Sequence, residues 1–431
     1  SLLADGVEYL PYGDTTISAK VVALTQNGSP ATELSIGDKV EVVLNRTPFY
    51  VEAGGQVSDT GTIRAEKWEI EIEDTRRPVG GLIIHIGEVV QGAPKVGDSV
   101  SAIVDSSRRA DITRNHTGTH LLHAALRNHL GIHVQQRGSL VAPERLRFDF
   151  AHDTRMTPDQ LKAVETEVNQ VILANYPVKS QVKSLQQAKS EGAMALFGEK
   201  YGETVRTVII ENGTRYSYEL CGGVHVSSTA DIGMFLIVSE GSVSAGVRRV
   251  EALTGSAAIA YIQEKLDQLA HVAGQLQTTP ENVVGRVMAL QDELSQSRKL
   301  IEKLRRDVAR QAFNARIGEL EMIGGVSVMV LQVEDTPVET LREMSDWFKG
   351  KAKSGIFVAG SSFEDKPVLM VTVTDDLTKT YQAGNIIKQI APIIGGGGGG
   401  RPNMAQAGGK DVSKLSDALA QARVVISQMA K

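Results

Sequence analysis

Residues 1–105 carry their apolar positions in short strand-like runs: "AKVVALTQNG", "DKVEVVLNR", "GTIRAEKWEIEIED", "GLIIHIGEVV" and "GDSVSAIVD". Turn-forming pairs separate them, namely Asn27-Gly28, Gly37-Asp38, Gly80-Gly81 and Gly97-Asp98. Runs spaced this regularly predict a small barrel or sandwich. A glycine-rich break from Glu52 to Gly61, "EAGGQVSDTG", reads as a functional loop or a tight barrel corner.

The pattern changes after residue 105. "HTGTHLLHAALRNHLG" has helical spacing and ends on Gly131, a residue suited to a C-cap. "TPDQLKAVETEVNQVILANYP" predicts a second helix, with Thr157 as N-cap, Pro158 in the first turn and a stop before Pro177. The runs "TVRTVII", "YSYEL" and "IGMFLIVSEGSVSAGVRRVEALTG" add strands, so residues 106–256 read as α+β. Residues 257–320 are helical and poor in turns, with a new helix starting at Thr279-Pro280. From Val287, apolar Leu290, Leu294, Ile301, Leu304 and Val308 follow at alternating steps of three and four, Ser297 filling the gap. Such a stripe suits an antiparallel hairpin within the chain or a coiled coil between chains. Residues 321–431 alternate strand and helix patterns and predict a small α/β domain, interrupted by Gly395 to Gly400. The fold class is multidomain α+β.

Composition narrows the functional classes. The 431 residues are 42% hydrophobic and 23% charged, enough for several domains and unlike a disordered chain. A net charge of −5 argues against a bulk polycation and leaves room for local basic patches. No apolar run nears the roughly 18–20 residues that span a bilayer, so no membrane partner is expected. Residues 1–30 show no secretory pattern. The single cysteine, Cys221, excludes an internal disulfide framework and fits a reducing, cytoplasmic setting. The chain opens on Ser1, not Met, and is read as a piece of something longer.

The strongest chemical signal is His116-x-x-x-His120 on the first helix, where residues four apart share a face. Thr117, Gly118 and Thr119 stand between them, so the glutamate of the metalloprotease signature is missing. His123 lies one turn on and is a rival ligand. The second signal is Cys221-Gly222-Gly223-Val224-His225, whose glycines let a thiolate and an imidazole converge. Two histidines with a Cys/His pair offer three nitrogens and one sulfur, a set that suits tetrahedral Zn2+. His85, His129, His133, His152 and His271 have no such partners and read as surface or satisfied core residues. The glycine run is followed by Arg401-Pro402, which excludes a P-loop. Arg108-Arg109, Arg248-Arg249, Arg305-Arg306 and Lys349/Lys351/Lys353 are solvated faces or phosphate contacts. Gln56, in "AGGQ", is a turn residue or a water-positioning group.

"NRTPFYVEAGGQVSDTG", "RNHTGTHLLHAALRNHLG", "ELCGGVHV" and "GGGGGGRPNMAQAGG" stand here in the order seen in alanyl-tRNA synthetases, which the chain resembles over essentially its whole length. The HxxxH and CxxxH pairs also resemble those of the free-standing AlaX editing proteins. The resemblance implies a β-barrel at 1–105, a zinc-binding editing domain at 106–256, a helical linker at 257–320 and a C-Ala-like domain at 321–431. It implies one Zn2+ on His116, His120, Cys221 and His225, with Thr119, Gln136 and Ser139 lining the amino-acid pocket. The implied activity is hydrolysis of Ser-tRNA(Ala) and Gly-tRNA(Ala), by a chain without the ATP and alanine site of the aminoacylation domain. The implied partners are tRNA(Ala) and, through the C-terminal region, a second copy of the chain. An AlaX-type trans-editing protein and a non-catalytic tRNA-binding or dimerisation module are the alternatives.

Overall fold

The computed structural model of the chain describes residues 6–195 and 201–430. Two compact units divide between Ala270 and His271.

The first unit opens with a closed antiparallel barrel. Its strands are β1 (Thr16–Gln26), β2 (Lys39–Leu44), β3 (Gly61–Arg64), β4 (Glu69–Arg76), β5 (Ile84–Gln91) and β6 (Ser99–Val104), paired in the order β1-β2-β5-β4-β3-β6 and closed by β6 on β1. Of the two expected architectures, the barrel is the one that forms. Alternate positions such as Val40, Val42 and Leu44 are buried and fill it together with Ile63, Ile70 and Trp68. The run "GTIRAEKWEIEIED" is two strands rather than one, because a turn closed by Ala65 N–H donating to Trp68 O folds β3 onto β4.

The barrel leads into helix α1 (Ser106–Leu130), capped by Asp105 at its start and Gly131 at its end. A buried ion pair joins the two: the guanidinium of Arg109 grips the Asp59 carboxylate and also donates to Pro11 O at 2.9 Å and Pro48 O at 3.0 Å. Arg109 is therefore neither solvated nor free for phosphate. Losing one member would leave a buried charge alone, a change that typically costs several kcal/mol. Around α1 lie the antiparallel sheet of β7 (Gln136–Val141), β8 (Leu146–Ala151), β13 (Val247–Thr254) and β12 (Phe235–Ser244), in that order, and the sheet of β9 (Val178–Ser184), β10 (Thr204–Asn212) and β11 (Thr214–Leu220). Helix α2 (Pro158–Leu173) starts on a capping box between Thr157 and Gln160. Leu121, Leu122, Phe148, Phe150, Val168 and Val250 belong to their common core.

The helix expected from residue 257 is α3 (Gly255–Gln275). In the second unit, a short turn at Pro280–Asn282 precedes α4 (Val283–Arg316). The heptad positions Val287, Leu294, Ile301, Leu304 and Val308 are exposed, whereas Ala309 and Phe313 are buried near the helix end. The remaining strands, β14 (Glu321–Ile323), β15 (Val326–Glu334), β16 (Ile356–Phe363), β17 (Lys366–Val373), β18 (Gly397–Arg401) and β19 (Met404–Gly408), form a sheet ordered β14-β15-β16-β17-β19-β18. Helix α5 (Val338–Lys351) and the end of α4 cover one face; α6 (Ala383–Ile390) and α7 (Leu415–Met429) cover the other. The glycine run does not interrupt this domain. It is the edge strand, laid so close to β19 that a Cβ on Gly396 would meet Gly408 O at 1.9 Å and one on Gly400 would meet Met404 O at 2.3 Å.

His85 gives the barrel a pH signature. It is fully buried between Thr47 Oγ1, 2.7 Å from Nε2, and Val42 O, 3.0 Å from Nδ1. Burial pushes its pKa down from 6.5 to about 4. Between those values the unfolded chain holds the extra proton, so the stabilisation is complete above pH 6.5 and is lost as pH falls towards 4, amounting to about 3 kcal/mol. Urea unfolding of the wild type should show this acid slope, and His85→Gln should flatten it by that amount.

Candidate metal centre

Helix α1 is buried along its middle, so the side chains of His116 and His120 project into protein rather than solvent. The chain leaves β11 at Leu220 and turns through Cys221-Gly222-Gly223-Val224-His225 across that face. Arg206 on β10 holds the turn by donating to Cys221 O at 3.1 Å and Gly223 O at 2.7 Å. Its guanidinium lies 4.1 Å from the centre of the Tyr12 ring, and the Tyr12 hydroxyl donates to Gly222 O at 2.6 Å. A Cβ on Gly223 would stand 1.9 Å from the His116 ring, so only glycine lets the loop pass there.

One ligand atom from each of His116, His120, Cys221 and His225 falls within 4.8 Å of every other. Cys221 Sγ is 3.3 Å from His116 Nε2 and 3.3 Å from His225 Nε2. Each imidazole is held from behind through Nδ1. Gln56 Oε1 lies 2.7 Å from His116 Nδ1 and also accepts from Val224 N–H at 3.0 Å, which identifies it as the amide oxygen. Glu219 Oε2 accepts from His120 Nδ1 at 2.9 Å. Thr117 donates its hydroxyl proton to Thr113 O, so at 3.2 Å its oxygen accepts from His225 Nδ1. With Nδ1 protonated in all three rings, each Nε2 lone pair faces the common centre. His120 Nε2 is buried with no hydrogen-bond partner among the described residues. Burial alone would raise the Cys221 thiol; positive charge at the centre, from the His116, His225 and His120 rings when they carry a second proton or from an ion when they do not, holds it well below its usual value. A thiolate and three aligned imidazoles form a donor set fitted to a soft divalent ion.

Beside this centre is a cavity of about 130 Å3. Thr119, Gln136 and Ser139, predicted from the sequence, line it together with His116, His120 and Cys221. Thr119 Oγ1 donates to Asn115 O at 2.8 Å, which leaves its oxygen lone pairs as acceptors. Ser139 lies on β7, and its carbonyl would be 2.6 Å from a Cβ on Gly55, so the glycine loop "AGGQ" packs against the strand that carries the pocket.

The other sequence-level candidates are outside the ligand group. His123 is not in the ligand group; its Nδ1 lies 3.1 Å from Glu219 Oε1. Gln56 is a turn residue, paired across the turn with Ala53, and its amide oxygen serves His116. His129 pairs with Glu167, His133 with His152, and His271 with Gln275. Arg248 and Arg249 pair with Glu240 and Asp149, and Arg305 and Arg306 with Asp335 and Glu343. Glu219 was missed, although it precedes Cys221 by two residues and the period of a strand puts both on one face. No helix among the described residues is long and apolar enough to cross a membrane.

Three stretches match described families: residues 3–108 "tRNA synthetases class II (A)", residues 205–251 "Threonyl and Alanyl tRNA synthetase second additional domain", and residues 325–428 "DHHA1 domain". Two of the three are described as domains of aminoacyl-tRNA synthetases. Along nearly its whole length the chain is related to alanyl-tRNA synthetases. It is 45% identical to the alanine–tRNA ligase of Acetivibrio thermocellus, over 98% of this chain and 48% of that protein. It is 43% identical to that of Chloroflexus aurantiacus, over 96% of this chain and 47% of that protein. The chain thus spans about half the length of the curated relatives it matches. The C-Ala domain from Aquifex aeolicus alanyl-tRNA synthetase is 26% identical, covers 25% of this chain and 98% of that one, and has a TM-score of 0.24.

Two substitutions test the centre. Cys221→Ala should lower bound zinc well below one ion per chain, measured by elemental analysis after dialysis. Gln56→Ala should weaken zinc roughly 10–100-fold in a chelator competition, because the His116 ring loses its orienting acceptor.

Proposed function

We propose that the chain hydrolyses mischarged tRNA(Ala), Ser-tRNA(Ala) and Gly-tRNA(Ala), in the cavity beside one Zn2+ held by His116, His120, Cys221 and His225. The observation that carries this reading is the convergence of Thr119, Gln136 and Ser139 on one small cavity with His116, His120 and Cys221 of the ligand set, in a chain related to alanine–tRNA ligases.

A pocket made for alanine excludes larger side chains by shape, but it rejects serine only about 10²-fold, since one added hydroxyl is a small difference. Glycine is smaller still and enters. A second, hydrolytic site corrects this if it favours what alanine lacks. Thr119 Oγ1, its proton spent on Asn115 O, accepts the serine hydroxyl proton. An alanine methyl in that place leaves the lone pairs of that oxygen without a donor, which costs about 1–3 kcal/mol, whereas glycine leaves room for a water that donates to them. His116, His120, Cys221 and His225 would hold Zn2+ as a full set of four, so the ion would supply positive charge that orients the substrate rather than a place for water. The protein's own groups therefore have to position the attacking water.

The second unit binds the outer body of the tRNA and pairs with a second copy, and takes no part in hydrolysis. Its basic residues and exposed glycine edge suit phosphate contacts, and the exposed heptad stripe on α4 suits pairing.

The test is deacylation. The chain should release serine and glycine from tRNA(Ala) and spare Ala-tRNA(Ala), and Thr119→Val should change the Ser/Ala ratio more than tRNA affinity. A chain that leaves Ser-tRNA(Ala) intact would refute the reading. Ending the chain at Ala270 should weaken tRNA binding, flatten its salt dependence and leave a monomer, with the maximal rate kept.

A further inference from the structure

The carboxylate of Glu219 serves two imidazoles. Oε2 takes Nδ1 of the metal ligand His120 at 2.9 Å, and Oε1 takes Nδ1 of His123 at 3.1 Å. Ser217 Oγ donates to the same Oε1 at 3.1 Å, and the carboxylate is buried. An ionised carboxylate only accepts, so His123 carries its proton on Nδ1 and presents Nε2 as a lone pair. That Nε2 is buried, on a residue 4% exposed, and has no hydrogen-bond partner among the described residues. A buried acceptor left unpaired costs about 1–3 kcal/mol, which a donor entering the site would recover.

The position of the ring says which donor. His123 lines the 130 Å3 cavity beside Thr119 and the ligand set. With Gln136 it also lines a second cavity of about 380 Å3, bounded by Arg127, Gln135 and Ile132, the last of which is exposed to solvent. The ring thus stands between the amino-acid pocket and a chamber that reaches solvent. Its Phe148 neighbour, with ring centres 5.2 Å apart, limits its tilt.

We propose that His123, oriented by Glu219, holds the hydrolytic water: Nε2 accepts a hydrogen bond from that water and points its oxygen at the ester carbonyl. This rests on the deacylase reading above. In the step, the water oxygen bonds to the acyl carbon and the bond from that carbon to the ribose oxygen breaks. One water proton ends on the ribose hydroxyl, the other is released to solvent, and the amino acid leaves as its carboxylate. Glu219 keeps both imidazoles in register, so ligand and water-holding group share one support.

The experiment compares the wild-type chain with His123→Leu and His123→Gln, measuring kcat and KM for Ser-tRNA(Ala) together with zinc content. His123→Leu should lose about 10²-fold or more in kcat, with KM and zinc unchanged, as for a removed positioning group. His123→Gln, whose side-chain oxygen reaches the place of Nε2, should recover part of that loss. A His123→Leu chain within about threefold of wild type would overturn the proposal. So would loss of zinc in either variant, which makes His123 a ligand or a support. Equal losses in both variants with zinc kept would make the ring a packing element only, and would overturn it as well. An inactive wild-type chain refutes the deacylase reading itself, and the water site with it; an active one with unaffected variants refutes only the role of His123.

Discussion

An imidazole has two nitrogens, and a set of three converges on one centre only if the nitrogen facing away is held. Here that condition is met from three directions: Gln56 from the loop inside the barrel segment, Thr117 from α1 itself, and Glu219 from β11. Much of the first unit can be understood as the scaffold that brings these acceptors to the back of the ligands. The Arg109–Asp59 pair fixes the barrel on α1, and Arg206 with Tyr12 fixes the Cys221 loop. A glycine at 223 then lets that loop pass over His116 without collision.

The ligands themselves were legible because their spacing is local. His116 and His120 are one helical turn apart, and Cys221 and His225 bracket two glycines, so each half is visible in a few residues. The join between halves spans about a hundred positions and has no local mark; it rested on the chemistry of the two pairs, three nitrogens and one sulfur that suit one tetrahedral ion. Thr119, Gln136 and Ser139 sit on α1 and β7 and meet only when the strand is folded beside the helix, and there the family resemblance carried the reading. Gln56 could be seen as a turn residue, but its service to His116 across 60 positions could not. Arg109 misled because a pair of arginines looks alike whether it faces solvent or a buried aspartate.

In the second unit the helix and strand pattern was readable, and the glycine run was the exception. Six glycines in a row carry no periodicity, so nothing in them distinguishes a loop from a strand. What makes them a strand is the partner: β19 supplies the ladder, and close approach of the two backbones excludes side chains at Gly396, Gly398 and Gly400. The heptad stripe on α4 raises the reverse difficulty. Its period predicts a helix and an apolar face, and both are present, yet a period says nothing of what covers the face.

The seating of Gln56 has a thermodynamic corollary. The residue belongs to the barrel segment, while its oxygen completes the orientation of a ligand on α1. Occupancy of the centre and docking of the barrel are therefore linked functions: an ion that prefers the seated form stabilises it by RT ln(1 + [ion]/Kd), and whatever loosens the barrel must weaken the ion by the same factor. The two share one equilibrium. A barrel that lacks any ligand atom of its own thus becomes a silent determinant of how tightly an ion would be held.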